Sequence, residues 1–241
     1  TTGPLLLCQL KSLAETDHEL ALSIHHIVAD YWSLRVLMQE IALLYQAFSQ
    51  RQKSPLPALP IQYADYAVWQ HSQQRASQLD YWLQTLANSP AILQLPTDYP
   101  RPAVQTFCGA RCSFTLSQQL SDKLSAFSQQ QQATLYMTLL ASFKVLLYRY
   151  SGQDDILVGS TVTNRDRTQI QNLIGLFVNN LVFLTQMDAL LTFRQLLGQV
   201  KQTALDAYAH QEVSFEQEED ALHIERQLSH KALFQVMFLL H

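Results

Sequence analysis

The sequence has no run of Lys or Arg, no long hydrophobic stretch and very little cysteine, and each absence removes a class of function. Sixteen Lys+Arg stand against 20 Asp+Glu for a formal net charge of −4. With no basic run or aromatic-basic stripe, neither nucleic acid nor an anionic membrane has an electrostatic handle. A bilayer-spanning helix needs about 20 apolar residues, and even LYMTLLASFKVLLYRY is broken by Thr138, Ser142 and Lys144. No signal peptide is expected. The three cysteines, Cys8, Cys108 and Cys112, fit neither a disulfide framework nor a CxxC pair, and are expected to be reduced and half-buried. A composition of 48% hydrophobic and 15% charged residues excludes wholesale disorder, and the 241 residues allow one large domain or two modest lobes. The chain opens on Thr1 and stops inside the apolar run ALFQVMFLLH, so it is expected to be a piece of something larger.

What is present alternates strand and helix patterns. PLLLCQL and ELALSIH read as strands joined by a hairpin over Lys11 to Asp17. Apolar residues from Leu34 to Tyr45 recur at helical spacing, predicting a helix from Ser33 to about Phe48 with Ser33 as a candidate N-cap. RQKSPLPALP is a proline-rich connector before two helical stretches, IQYADYAVWQ and LDYWLQTLA. LPTDYPRPAVQ marks the expected lobe boundary near Pro96 to Pro102. Beyond it, ARCSFTL reads as a strand and Ser117 as the cap of a helix. Thr134 opens a longer helix whose expected apolar face is Leu139, Leu140, Phe143, Leu146, Leu147 and Tyr150, with Gly152 as its stop. DILVGSTVT and NLVFLTQ are strands, Thr192 caps another helix, and ALFQVMFLL is the last strand. The alternation is mixed α/β in both halves.

The sharpest chemical feature is His25-His26-Ile27-Val28-Ala29-Asp30 at a strand-to-helix turn. Neighbours on a strand point to opposite faces, so one histidine faces the core and the other a cleft or solvent. Taken alone, one packed and one solvated imidazole is the commoner outcome. Zinc is disfavoured because adjacent strand histidines diverge and no cysteine pair complements them. A Ser-His-Asp hydrolase is disfavoured because no G-x-S-x-G elbow occurs. A histidine acting as general base or as a positioner of substrate remains.

Several segments, in order, resemble the motifs of one family, the condensation domains of nonribosomal peptide synthetases, in the chloramphenicol acetyltransferase-like superfamily. SIHHIVADYWS is similar to its HHxxxDGWS motif, and YADYAVW to YxD(F/Y)AVW. IGLFVNNLV resembles IGxFVNTLV, HQEVSFE resembles HQ(D/E)xPFE, and SHKALFQVMF resembles SRxPLFQVxF. The two earliest family motifs precede the histidines and have no counterpart here. The resemblance implies an α/β fold, a chloramphenicol acetyltransferase-like two-lobe sandwich, V-shaped, with part of the first lobe and most of the second covered. On that reading residues 1–102 are the end of the N-terminal lobe with the active-site motif and connector, and 103–241 a truncated C-terminal lobe.

The implied reaction is amide bond formation between an upstream acyl or peptidyl thioester and a downstream aminoacyl thioester. Both are borne on 4'-phosphopantetheine arms of carrier proteins; the domain itself binds no cofactor and no metal. Upstream and downstream peptidyl carrier domains and an adjacent adenylation domain are the implied partners, in the cytoplasm. His26 is then the catalytic histidine, as base or positioner, and His25 the structural one. Asp30 is a structural carboxylate pairing with Arg165 of the second lobe, and Tyr31, Trp32 and Asn179 line the substrate tunnel. Without the resemblance, Arg165 reads as a surface charge and Asn179 as an ordinary turn residue. His210 and Glu216 are expected to be structural.

Tyr31 stands where the family favours glycine, and at a strand-to-helix turn its ring is expected to fill space rather than gate a tunnel. Asn180 and Ser214 also depart from the motifs. Epimerisation domains share the double histidine, but YADYAVW and FVNNLV favour condensation. Heterocyclisation domains replace the histidines with aspartates. A noncatalytic carrier-docking platform is the alternative of a different class, and the fragment alone is expected to be of doubtful activity.

Overall fold

Two apolar strands separated by a short polar stretch close on each other as expected. In the computed structural model, which describes residues 3–73, 75–90, 92–224, 228–231 and 233–240, β1 (Leu6–Ser12) and β2 (His18–Ile24) form an antiparallel hairpin. The amides of Leu13 and Ala14 donate to Asp17 O and close its turn. The second strand ends at Ile24, so neither histidine lies in it: His25 has extended backbone and His26 opens a 3-10 turn, His26–Val28. The alternation argument therefore does not separate the two histidines. What separates them is that the His25 Nδ1 accepts the Ile27 N–H at 3.1 Å and caps that turn.

Helix α1 (Tyr31–Ser49) begins earlier than expected because its N-cap is Asp30, not Ser33; the Asp30 carboxylate accepts the Ser33 N–H. A carboxylate there satisfies an orphan amide of the first turn and favours the positive end of the helix dipole. Helix α2 (Tyr63–Ser72) carries the YADYAVW segment, with Asp65 accepting the Gln62 N–H at 2.8 Å. Residues 1–74 and 163–178 make one compact unit. Its small core is Tyr66, Ile170, Leu173 and Phe177, flanked by Ile61 and Trp69.

The other unit comprises residues 75–162 and 179–241. Strands β3 (Asp155–Val162) and β4 (Asn179–Gln186) pair antiparallel from Asp155 opposite Gln186 to Val162 opposite Asn179. Against this ribbon pack α5 (Leu135–Ser151), α6 (Phe193–Ala209) and α7 (Phe215–Ala221), with α3 (Ala76–Leu86) on α7 and α4 (Gln118–Gln130) on α5. Ser117, Thr134 and Thr192 cap their helices, and Gly152 ends α5 in the left-handed region at φ 67°. Trp82, Leu140, Ile156, Val158, Leu181, Phe183, Leu197 and Val200 fill the core.

The division into units departs from the boundary expected at the prolines. Trp82 and Leu86 of α3 are buried in the core of the second unit, so this helix and the proline segment after it belong there. The excursion 163–178, between two paired strands, belongs to the first.

Residues 110–116 form no strand; every one is exposed and none finds a ladder partner among the described residues. The terminal apolar run contributes one parallel bridge, with Gly159 N–H donating to Val236 O and Phe238 N–H to Gly159 O, both at 2.9 Å. The left-handed backbone of Leu233 interrupts the extended run, and Ala232 lies outside the described residues. A side chain at Gly159 would collide with the Phe234 ring. The cysteines are all exposed rather than half-buried, because two lie on the irregular stretch and one on an uncovered hairpin. Among the described residues no helix is long and apolar enough to cross a membrane.

Helix α5 is rotated from its expected face: Leu146 and Tyr150 are exposed while Lys144 is fully buried. The Lys144 Nζ donates to Ile156 O at 3.1 Å, Phe183 O at 2.6 Å and Thr185 Oγ1 at 2.9 Å. Burial pulls this lysine well below its usual range. Yet these contacts match the three donors of an ammonium, whereas a neutral amine has only two, so they oppose that pull.

Glu218 is the contrasting case: it is fully buried on α7, and neither carboxyl oxygen has a hydrogen-bond partner among the described residues. Burial, reinforced by Glu216 and Glu219, pushes its pKa up to about 9. A folded pKa raised above the unfolded one weakens the fold as pH rises from the ordinary carboxyl range through that value. Replacing Glu218→Leu should therefore raise stability at pH 8 by about 1–3 kcal/mol and remove this alkaline loss, measured by urea unfolding from pH 4 to pH 9.

Candidate functional site

Sequence motifs far apart in the chain meet at the start of α1. Asp30 is 1% exposed and Ser33 is fully buried. Asp30 Oδ1 accepts the Ser33 N–H and lies 2.8 Å from the Ser33 hydroxyl, while Oδ2 accepts the Phe177 N–H at 3.0 Å. Arg165 Nη2 reaches Oδ1 at 3.2 Å and the Ser33 Oγ at 2.8 Å. Arg165 Nη1 donates to Ile170 O at 2.7 Å and Leu173 O at 2.8 Å. The guanidinium lies over the Phe177 ring at 4.0 Å, a cation-π arrangement.

The expected ion pair is thus present and buried, but Asp30 and Arg165 both belong to the first unit, so the pair does not bridge two units. Burial raises the Asp30 carboxyl, but hydrogen bonds from Ser33 and Phe177 and the Arg165 charge outweigh it, and the net shift is downward. Burial lowers the Arg165 pKa against the opposing Asp30 charge.

Ser33 and Gly175, absent from the expected site, carry much of this junction. The Ser33 Oγ accepts the Gly175 N–H at 3.0 Å and lies 2.7 Å from Gly175 O, which also accepts the Asp30 N–H at 3.2 Å. One hydroxyl proton serves either Gly175 O or Asp30 Oδ1, since a serine has a single donor. A Cβ at Gly175 would collide with the Tyr63 ring, whose hydroxyl donates to Leu176 O at 2.8 Å. Tyr63, Tyr66 and Phe177 cluster around this point in tilted and edge-on pairs with centroids 4.8 to 6.1 Å apart. The only signal in the sequence for Gly175, Phe177 and Tyr63 is that they sit inside the IGLFVNN and YADYAVW segments.

The remaining expected residues divide. His25 and His26 are exposed on the turn that leads into α1. Trp32 donates its indole N–H to Gln171 O at 2.8 Å, a structural anchor that uses its single polar hydrogen. Tyr31 is 69% exposed, so its ring does not fill space within its unit as expected; the first helical position places it outside the buried face occupied by Ser33.

Asn179 lies in the second unit, and its amide is fully committed. Nδ2 donates to Gln211 O at 2.9 Å and Val213 O at 2.6 Å, while Oδ1 accepts the Asn180 N–H at 3.0 Å and the Phe215 N–H at 3.1 Å. These fill both its donors and both its acceptor lone pairs and anchor the HQEVSFE segment. His210 stacks on Tyr81 at 3.9 Å, and its Nδ1 is 2.7 Å from Asp206 O. Among the described residues no group of three or more His, Cys, Asp or Glu side chains has the arrangement of a metal site.

This architecture is shared. The X-domain of teicoplanin biosynthesis superposes with a TM-score of 0.90 at 26% identity, covering 98% of this chain and 55% of that one. A four-domain nonribosomal peptide synthetase bound to AMP and glycine gives 0.85 at 27% identity over 98% of this chain and 18% of that one. The fold is therefore that of the condensation-type, chloramphenicol acetyltransferase-like domains. The profile of the Condensation domain family matches residues 1–241, and the chain belongs to that family. A linear gramicidin synthase polypeptide of Brevibacillus parabrevis is 49% identical over 99% of the chain, and gramicidin S synthase 2 of Brevibacillus brevis is 40% identical over 99%. The chain spans about 5% of the length of each of these two relatives.

Removing one partner of the buried pair strands the other charge, which typically costs about 3–5 kcal/mol. Asp30→Ala and Arg165→Ala should each lower stability by that order in chemical unfolding, and the double variant by less than the sum. Because the folded Asp30 pKa lies below the unfolded one, its stabilisation is complete above the ordinary carboxyl range and is lost as pH falls through the folded value. Asp30→Asn should flatten the acid side of a plot of melting temperature against pH.

Proposed function

We propose that this chain is the part of a condensation domain that carries the histidine turn for amide bond formation between two carrier-bound thioesters. The observation that supports it most directly is the exposed His26 on a turn whose next elements, Asp30 and Ser33, are locked in place by Arg165. The substrate class follows from the family. The donor is an acyl or peptidyl thioester and the acceptor an aminoacyl thioester, both on 4'-phosphopantetheine arms of neighbouring carrier domains, with an adenylation domain alongside, in the cytoplasm.

An acceptor amine of ordinary pKa about 7.7 to 8.0 is largely protonated at neutral pH. The deprotonated amine attacks the thioester carbonyl, a C–N bond forms, and the C–S bond breaks. The amine proton passes toward His26, imidazole being suited to transfer near neutrality, and the leaving thiolate is protonated to a thiol. Holding both arms together supplies a proximity contribution that needs no covalent enzyme intermediate. His26 serves either as the base or as the group that orients the amine, and Asp30 and Arg165 hold its turn.

A second reading, a noncatalytic docking platform, draws support from the likeness to the X-domain seen in complex with OxyB, with a TM-score of 0.90. The two separate on one measurement. In the full-length protein carrying this sequence, His26→Ala should slow single-turnover dipeptide transfer between loaded carriers by about 10²–10⁴-fold while leaving the melting temperature unchanged. Undiminished product removes the assignment of His26. Absence of product from the wild-type protein favours the docking platform.

A further inference from the structure

Most polar side chains of the motif segments are buried in holding the fold, and Tyr31 is set apart from them by its exposure. It occupies the first turn of α1, between Asp30, which is 1% exposed, and Ser33, which is fully buried, yet the tyrosine itself is 69% exposed. Its mounting is rigid. Asp30 caps the helix and pairs with Arg165, Ser33 is joined to Gly175, and Trp32 is tied to Gln171 O at 2.8 Å. Ile27, 60% exposed, and His25 and His26, both exposed, lie on the turn that leads into this helix.

A large ring held on an immobile base and left mostly uncovered by its own unit buries little apolar surface there. It presents a fixed volume to whatever approaches the histidine turn, and a side chain on a locked element discriminates by shape better than one on a loop. We propose that Tyr31 is a specificity-determining residue that limits the size of the acceptor amino acid. The acceptor is named, rather than the donor, because the nucleophilic amine is the group His26 serves; the inference rests on the amide-forming reading above. The rival occupant is structural. Tyr31, Leu34 and Met38 lie at helical spacing and are all exposed, so a covering segment of the same polypeptide would bury the ring instead.

The test is a competition in the full-length protein between alanyl- and tryptophanyl-loaded acceptor carriers, with one fixed donor, for wild type and Tyr31→Phe, Tyr31→Leu and Tyr31→Ala. The tryptophanyl-to-alanyl product ratio should rise as the side chain shrinks, about tenfold or more for Tyr31→Ala, the range a shape-selective pocket gives. It should stay at the wild-type value in Tyr31→Phe. The graded series keeps the answer readable if Tyr31→Ala folds poorly. An unchanged ratio across the series overturns the assignment, and if melting temperatures fall in parallel the ring belongs to packing. A wild-type protein that makes no dipeptide overturns the amide-forming reading and this assignment with it. Loss of product in His26→Ala with an unchanged ratio in the Tyr31 series rejects the Tyr31 role alone.

Discussion

The first unit depends on one buried carboxylate. Asp30 caps α1, accepts the Phe177 amide and neutralises Arg165, whose Nη1 gathers the carbonyls of Ile170 and Leu173. Residues 163–178 contain little regular structure beyond the 3-10 turn Thr168–Ile170, so few of their backbone groups are satisfied within the segment. Buried backbone must find partners, and here the guanidinium, the carboxylate and the Ser33 hydroxyl supply them. An ion pair so deeply buried is seldom a large net gain over an apolar pair. Its value lies in specifying a single arrangement for a segment that contributes only three buried apolar side chains, Ile170, Leu173 and Phe177, to the core of its unit.

The second unit solves the same problem with a different charge. Lys144 has no carboxylate partner among the atoms it contacts; two carbonyls and a hydroxyl receive its hydrogens and tie α5 to both strands of the ribbon. Glu218, equally buried, receives no compensation and responds by holding its proton. A buried ionisable group can be paired, caged or neutralised, and the chain uses one solution at each of these positions.

The same accounting separates the engaged motif residues from the exposed ones. Asp30, Trp32, Arg165 and Asn179 look chemical in the sequence, but their polar atoms, the buried Arg165 Nε apart, are engaged with backbone or with one another. The two histidines and Tyr31 remain accessible, on a turn and a helix start that these engaged residues immobilise. Motif residues in this family segment thus divide between a scaffold and the few groups the scaffold presents.

The sequence by itself determined the elements whose signals are local. The hairpin, the caps at Ser117, Thr134 and Thr192, and the glycine stop at Gly152 all follow from contacts within a few residues, and the ordered motifs were enough to name the family. Tertiary structure alone decided what depends on distant partners. ARCSFTL has strand chemistry but no neighbour to pair with among the described residues, and Lys144 has surface chemistry but carbonyls waiting for it in the core. The Asp30–Arg165 pair was legible only through family resemblance, since 135 positions separate its members. That Ser33 is a junction rather than a cap, and that Asn179 serves the loop after α6, came from hydrogen-bond partners that sequence spacing does not encode. Local periodicity reports which way a side chain faces, but only the folded chain brings together the donors and acceptors that a buried polar group requires.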